Sequence, residues 1–221
     1  MAIAFDSVLQ TVTHTPAPVS PVVDSFTNTA GTYMQVGICE RGATTADRVT
    51  GVTYNGVSMT QVAKQDTTAA NGYDYVYELV SPATGANNIS VSFSVGVTDI
   101  RVGAVSYTGV SVASQANATG TVASSNSWTG TVTTVNADNW ITGWVFNDVT
   151  DNAATAPSVQ RSTTPNNDPG FLDSNQTFSV GSNSISGTIV GGGSGNIGWI
   201  VVVIGSAVAS ARQALTLLGV S

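Results

Sequence analysis

Cysteine, histidine and lysine each occur once in this chain, as Cys39, His14 and Lys64, and each scarcity removes a class of chemistry. A lone cysteine cannot close a disulfide within the chain. Cys39 lies between Ile38 and Glu40 in an apolar stretch, where a small buried side chain is expected rather than a reactive thiol. His14 stands in Thr13-His14-Thr15 beside a proline run, the setting of an edge strand and not of the base in a Ser-His-Asp triad. One Cys and one His cannot furnish a zinc site within one subunit. Glutamate occurs only as Glu40 and Glu78, without an alternating acidic strand, so the close carboxylate pair of a glycoside hydrolase is not in view and both read as solvent-facing. The run Gly191-Gly192-Gly193-Ser194-Gly195 is not followed by Lys-Ser/Thr and is a linker, not a phosphate loop. The chain reads as non-enzymatic, with no catalytic residue, no cofactor and no metal.

Charge is scarce as well. Only 9% of residues are charged, and six basic against 13 acidic side chains leave a net charge of −7. Basic residues scattered from Arg41 to Arg212 form no patch able to neutralise phosphates, so nucleic acid is excluded as a partner. The start of the chain lacks the basic and apolar regions of a signal peptide, so folding in a bacterial cytoplasm is expected. The most apolar segment, 197–209, is shorter than a membrane helix and is β-branched and broken by glycine. It reads as a strand buried on both faces, and no membrane contact is expected.

What is present is strand and turn chemistry. Hydrophobic residues make up 42% of the 221, and Ser, Thr, Asn and Gly fill most of the rest, which favours an all-β fold. Asn55-Gly56 separates two alternating segments and suits a two-residue hairpin turn, predicting that 52–54 and 57–62 pair antiparallel. In 89–97 the odd positions Ile89, Val91, Phe93, Val95 and Val97 face a core and serines fill even positions. Tyr73, Tyr75, Tyr77 and Leu79 share a face opposite Asp74 and Glu78. Together these make an antiparallel meander with one face to the core and the other to water.

Around that meander, 3–13 opens as a strand, and Pro16, Pro18 and Pro21 impose an extended run at a sheet edge or a crossing between sheets. Met34, Val36 and Ile38 mark 32–41 as a core strand, and 117–124, 129–135, 171–180 and 183–190 also read as strands. In 139–147 both faces are heavy, predicting burial on one side and packing or a ligand on the other. Residues 148–175 are a long excursion of turn formers with one short strand near 158–161. Its Asp148, Asp151, Asn152, Asn166, Asn167, Asp168, Asp173 and Asn175 offer oxygen ligands, but in no calcium-loop spacing, and such residues make turns without a metal. Trp140 and Trp144 are candidate glycan contacts if exposed; otherwise they are core aromatics. The expected organisation is a single antiparallel β-sandwich over 1–206, then an apolar arm or short helix over 207–221. Leu215, Leu217, Leu218 and Val220 in that arm are candidate assembly contacts, tucked onto their own domain or lent to a neighbour.

Three segments carry a resemblance: Thr53-Tyr54-Asn55-Gly56-Val57, Leu79-Val80-Ser81-Pro82-Ala83-Thr84-Gly85, and Ala104-Val105-Ser106-Tyr107-Thr108-Gly109-Val110. With the strand 197–204, they resemble a jelly-roll-like β-sandwich module of tailed-phage virion proteins and large bacterial surface proteins. The shared residues specify turns and core, so the resemblance implies a fold and no catalytic residue. It implies a structural role in a virion, as a capsid decoration protein or a tail or fibre subunit. Major capsid or tail proteins and copies of the chain itself are then the expected partners. A carbohydrate-binding or adhesive module, with a surface glycan as partner, is the alternative.

Overall fold

The computed structural model describes residues 2–16, 18–42, 46–67, 72–147, 152–162, 169–190 and 195–205. The first half of the chain forms β1 (Ala4–His14), β2 (Val22–Asn28), β3 (Tyr33–Gly42), β4 (Val49–Tyr54), β5 (Val57–Ser58), β6 (Thr60–Asp66), β7 (Gly72–Val80), β8 (Gly85–Phe93) and β9 (Val97–Thr108). The second half forms β10 (Ala116–Ser125), β11 (Ser127–Thr134), β12 (Trp140–Asn147), β13 (Asn152–Ala154), β14 (Val159–Gln160), β15 (Gly170–Asp173), β16 (Gly181–Ile189) and β17 (Gly195–Ile204). All pairings are antiparallel, so the all-β sandwich expected from composition is the class adopted.

The strands form four sheets, and three apolar clusters show how they stack. Sheet I, ordered β2-β8-β4-β5, faces sheet II, ordered β1-β9-β3-β7-β6, across Phe26, Met34, Tyr54, Tyr75, Ile89 and Val102. The other side of sheet II meets sheet III, ordered β10-β17-β12-β15-β14, across Tyr33, Tyr107, Trp144, Phe171 and Ile200. The far side of sheet III packs on sheet IV, ordered β11-β16-β13, across Trp128, Val132, Ile185 and Val201. The central strands of sheets II and III are therefore covered on both faces, which is why β12 and β17 lack polar alternation. All eight residues of β12 are buried, with both of its faces packed against protein.

Several expectations shift for this reason. Tyr75 and Tyr77 do face sheet I, but Asp74 and Glu78 on the opposite face meet sheet III and are buried rather than wet. Glu40, also expected in solvent, is buried between sheets I and II. The Asn55-Gly56 hairpin forms, with both residues at positive φ (49° and 75°) and Tyr54 paired to Val57. Its second strand stops at Ser58, and β6 crosses to sheet II to pair with β7, because Met59 turns into the core. Val95 lies beyond the end of β8 and is 95% exposed. Only Gly170–Asp173 of the segment 171–180 and its approach is strand, paired with β12 and β14. The proline run does carry the chain from the edge of sheet II to the edge of sheet I, between β1 and β2.

Candidate functional site

The polar chemistry of the molecule is concentrated between sheets. Asp74 on β7 pairs in register with Cys39 on β3 and projects toward sheet III, where its Oδ2 would lie 3.0 Å from a Cβ at Gly198 of β17. Its carboxyl is fully buried and neither oxygen completes a hydrogen bond. Burial pushes its pKa up to about 7, opposed by the nearby Cys39 thiol and Trp144 indole N–H and by the charges of Arg41 and Arg101. The same burial, with Asp74 beside it, pushes the Cys39 thiol well above its ordinary value. Such a thiol is a poor nucleophile, because the thiolate is the reactive form.

Toward the other end of this interface two acids are fully engaged. Tyr33 donates to Glu78 Oε2 at 2.7 Å, and the Ser114 amide donates to the same oxygen at 2.8 Å. Arg161 grips Asp173 through both oxygens, Nε to Oδ2 at 2.6 Å and Nη2 to Oδ1 at 2.9 Å. Tyr107 of β9 adds a bond to Asp173 Oδ2 at 3.1 Å, so an acid of sheet III is tied to sheet II. The Arg161 guanidinium also covers the Phe5 ring, 4.4 Å from its centroid.

Between sheets I and II, Arg48 Nη1 binds Glu40 Oε1 at 2.9 Å. Burial raises the Glu40 pKa, and the Arg48 bond only partly reverses that. Asp47 lies nearby, bonded by Lys64 and, at 2.9 Å, by the Tyr75 hydroxyl; the Lys64 bond holds its pKa low. A raised and a lowered acid side by side resemble a general acid and base. Here each is committed to a cation and Glu40 has no access to solvent, so the arrangement does structural work.

The open concavity lies elsewhere. Thr13, His14, Pro16, Pro18, Val19 and Val23 are among the residues lining a shallow cleft of about 450 Å³ where the chain crosses from sheet II to sheet I. His14 Nε2 lies 2.9 Å from Asp24 Oδ2 on its wall. The pair ties β1 to β2.

The structure places Trp144 at 0% and Trp140 at 7% exposure between sheets II and III. A sugar ring cannot stack on either, and none of the chain's 16 aromatic residues is exposed (four Trp, six Tyr and six Phe). Leu215, Leu217, Leu218 and Val220 lie outside the described residues. Of the oxygen-bearing residues weighed for calcium, Asp148, Asp151, Asn166, Asn167 and Asp168 lie outside the described residues, Asp173 is taken by Arg161 and Tyr107, and Asn175 accepts from Arg161 at 2.8 Å. Among the described residues no three His, Cys, Asp or Glu gather as a metal cluster.

Sequence reasoning passed over the two outer faces. The strands of sheet IV contain no charged residue, and those of sheet I contain only Asp24, which turns to His14. Every exposed large hydrophobic residue among the described ones, Val19, Val23, Val57, Val95, Val135, Val180 and Val190, lies in these two sheets or in the segments entering and leaving them. Alternation of Ser and Thr in β11 and β16 is the signal that marks this surface. No protein-family model and no curated protein sequence matches the chain.

Proposed function

We propose that the protein is a non-enzymatic structural component of a tailed-phage virion, a capsid decoration protein or a tail or fibre subunit. It assembles in the host cytoplasm and works by protein–protein contact, with major capsid or tail proteins and with copies of itself. The observation that carries this reading is the distribution of charge. Most charged groups among the described residues are paired or buried in the middle layers, while the strands of the two outer sheets carry no charged side chain except Asp24, and sheet IV turns Ser and Thr outward. A surface of that kind meets another protein with little desolvation cost. The apolar residues Leu215, Leu217, Leu218 and Val220 supply a further contact.

The test is electron microscopy of the purified protein mixed with candidate capsids and tails, alongside a chain ending at Ser206. Decoration by the full chain, with weaker decoration by the shortened one at unchanged unfolding midpoint, is expected. Failure of the full chain to associate with any particle overturns the virion role. Equal decoration by both chains removes the C-terminal arm from it.

A further inference from the structure

Strand order repeats along the chain. Sheet II reads β1-β9-β3-β7-β6 and sheet III reads β10-β17-β12-β15-β14, so β10, β12, β14, β15 and β17 stand where β1, β3, β6, β7 and β9 stand. Sheet I reads β2-β8-β4-β5 and sheet IV reads β11-β16-β13, which sets β11, β13 and β16 against β2, β4 and β8. Of the described strands only β5 lacks a counterpart, and none joins a sheet of the other half. Each half also closes a core of its own. The cluster between sheets I and II draws its buried residues from 22–104, and the one between sheets III and IV from 128–203.

Equivalent positions also do equivalent work. Asn28 ends β2 opposite Gly85, which opens β8 at positive φ, and its side chain donates to the Pro82 and Ala83 carbonyls at 3.3 and 3.1 Å. Thr134 ends β11 opposite Gly181, which opens β16 at positive φ, and it donates to the Ser179 and Gly181 carbonyls at 2.6 and 3.2 Å. Two residues into β3 and β12, Gln35 and Thr142 stand opposite Glu78 and Asp173, buried acids that each accept a tyrosine hydroxyl. Sandwich architecture alone recurs among unrelated chains, but a shared loop cap and a shared buried acid do not follow from it.

We infer that the chain is two β-sandwich modules of one kind in tandem, residues 2–110 and 111–205, and that the face between sheets II and III is the module's pairing surface, its partner a second module related by a half-turn. The two meet through equivalent sheets, and laying one face of a body on the same face of its copy takes a half-turn about an axis in the contact plane. Such a contact is reciprocal. Asp74 of β7 lies against Gly198 of β17, and Tyr107 of β9 bonds Asp173 of β15, the same two strand positions exchanged. On the axis a residue meets its own equivalent. Tyr33 and Trp140 open β3 and β12, the middle strands of their sheets, and four residues further on Gly37 and Trp144 touch. Their register partners are Gly103 and Ile200. One module offers a slot of glycines and the other the tryptophan that fills it, so a mixed pair packs where like pairs would leave a void or bring two indoles together.

The experiment cuts the folded full chain at a protease site inserted between Val112 and Ala113, in the segment joining the modules, with and without Trp144→Ala. Mass is followed by sedimentation and native mass spectrometry, and strand content by circular dichroism. The cut wild type is expected to stay a one-to-one pair with unchanged strand content, and to re-form that pair, not pairs of like halves, after unfolding and refolding. Trp144→Ala is expected to raise the dissociation constant of the cut pair on the order of a hundredfold or more, and the separated halves to keep their strand signal. In the uncut natural chain, Trp144→Ala is expected to speed labelling of Cys39, which lies between the modules, at least about tenfold while the amides of β8 and β16 stay protected from exchange. Halves that lose strand structure on cutting, like pairs that form as readily as mixed ones, or a Trp144→Ala chain whose amides lose protection throughout overturns the inference. Particle decoration plays no part in these measurements, so the virion role stands or falls separately.

Discussion

The backbone of Gly37 lies flat against the indole of Trp144: a Cβ at position 37 would sit 2.3 Å from ring atoms Cδ2 and Cε3. Its register partner Gly103 lies under the same ring, where a Cβ would be 3.0 Å from Cζ3. The two glycines open a slot in sheet II that lets sheet III approach.

Gly37→Ala is accordingly expected to cost about 3 kcal/mol or more, since a buried indole held by Phe171 at 4.8 Å has nowhere to move. Gly51→Ala on β4, where a Cβ meets nothing within 4 Å, is expected to change stability by less than about 1 kcal/mol. Urea unfolding of the pair measures the difference. Equal midpoints would show that the slot plays no part in holding the sheets together.

This slot also marks where the sequence stops being readable. Period-2 alternation found β3, β7 and β8, and Asn55-Gly56 found its turn, because those signals are local. Alternation says which residues share a face, but not whether a polar face meets water or a third sheet. Asp74 and Glu78 read as wet for that reason, and Trp140 and Trp144 stayed open between core and ligand. The fit of Trp144 against Gly37 depends on contact between residues more than 100 positions apart, which no window of sequence displays. Met59 shows the same gap at short range: the run from Val57 to Val62 looks continuous, yet it bends there to change sheets.

Asp74 gives stability an unusual pH dependence. Its pKa is raised in the folded chain to about 7 and is ordinary when unfolded, so the folded state holds the proton more tightly. Below about pH 4 both states are protonated and the group costs nothing; between about 4 and 7 the unfolded state ionises first and folding stability falls. The loss reaches an order of 4 kcal/mol and levels off above pH 7. Asp74→Asn is expected to remove this slope and to equal or exceed wild-type stability at pH 8. Unfolding midpoints of both proteins from pH 4 to 8 decide it: parallel curves would show that Asp74 does not titrate in this window.

Arg161 and Asp173 are expected to behave as an asymmetric pair. Removing the guanidinium with Arg161→Ala leaves a carboxylate at 0% exposure held by the Tyr107 hydroxyl and the Asn175 amide, which donates to Oδ1 at 2.9 Å. A loss of about 3 kcal/mol is expected from that uncompensated charge, against about 1 kcal/mol for Tyr107→Phe, which removes one hydrogen bond. A double-mutant cycle between Arg161 and Tyr107 should show coupling through the shared Oδ2. Additive losses would mean that the clamp does not link sheet III to sheet II.

Cys39 turns the separation of those sheets into a chemical signal. The thiol is 1% exposed, faces sheet III, and stands beside Asp74, so no reagent reaches it while the sheets are in contact. Labelling by an aromatic disulfide reagent is expected to be slow in native protein and complete within seconds in denaturant. Raising the pH from 6 to 8 should speed native labelling more than the gain in thiolate alone explains, because ionisation of Asp74 makes opening easier. In Asp74→Asn only the thiolate contribution remains, so the ratio of the two rates isolates the opening step. Native labelling as fast as that of the unfolded chain would place Cys39 at the surface and remove the packed interface on which the pH argument stands.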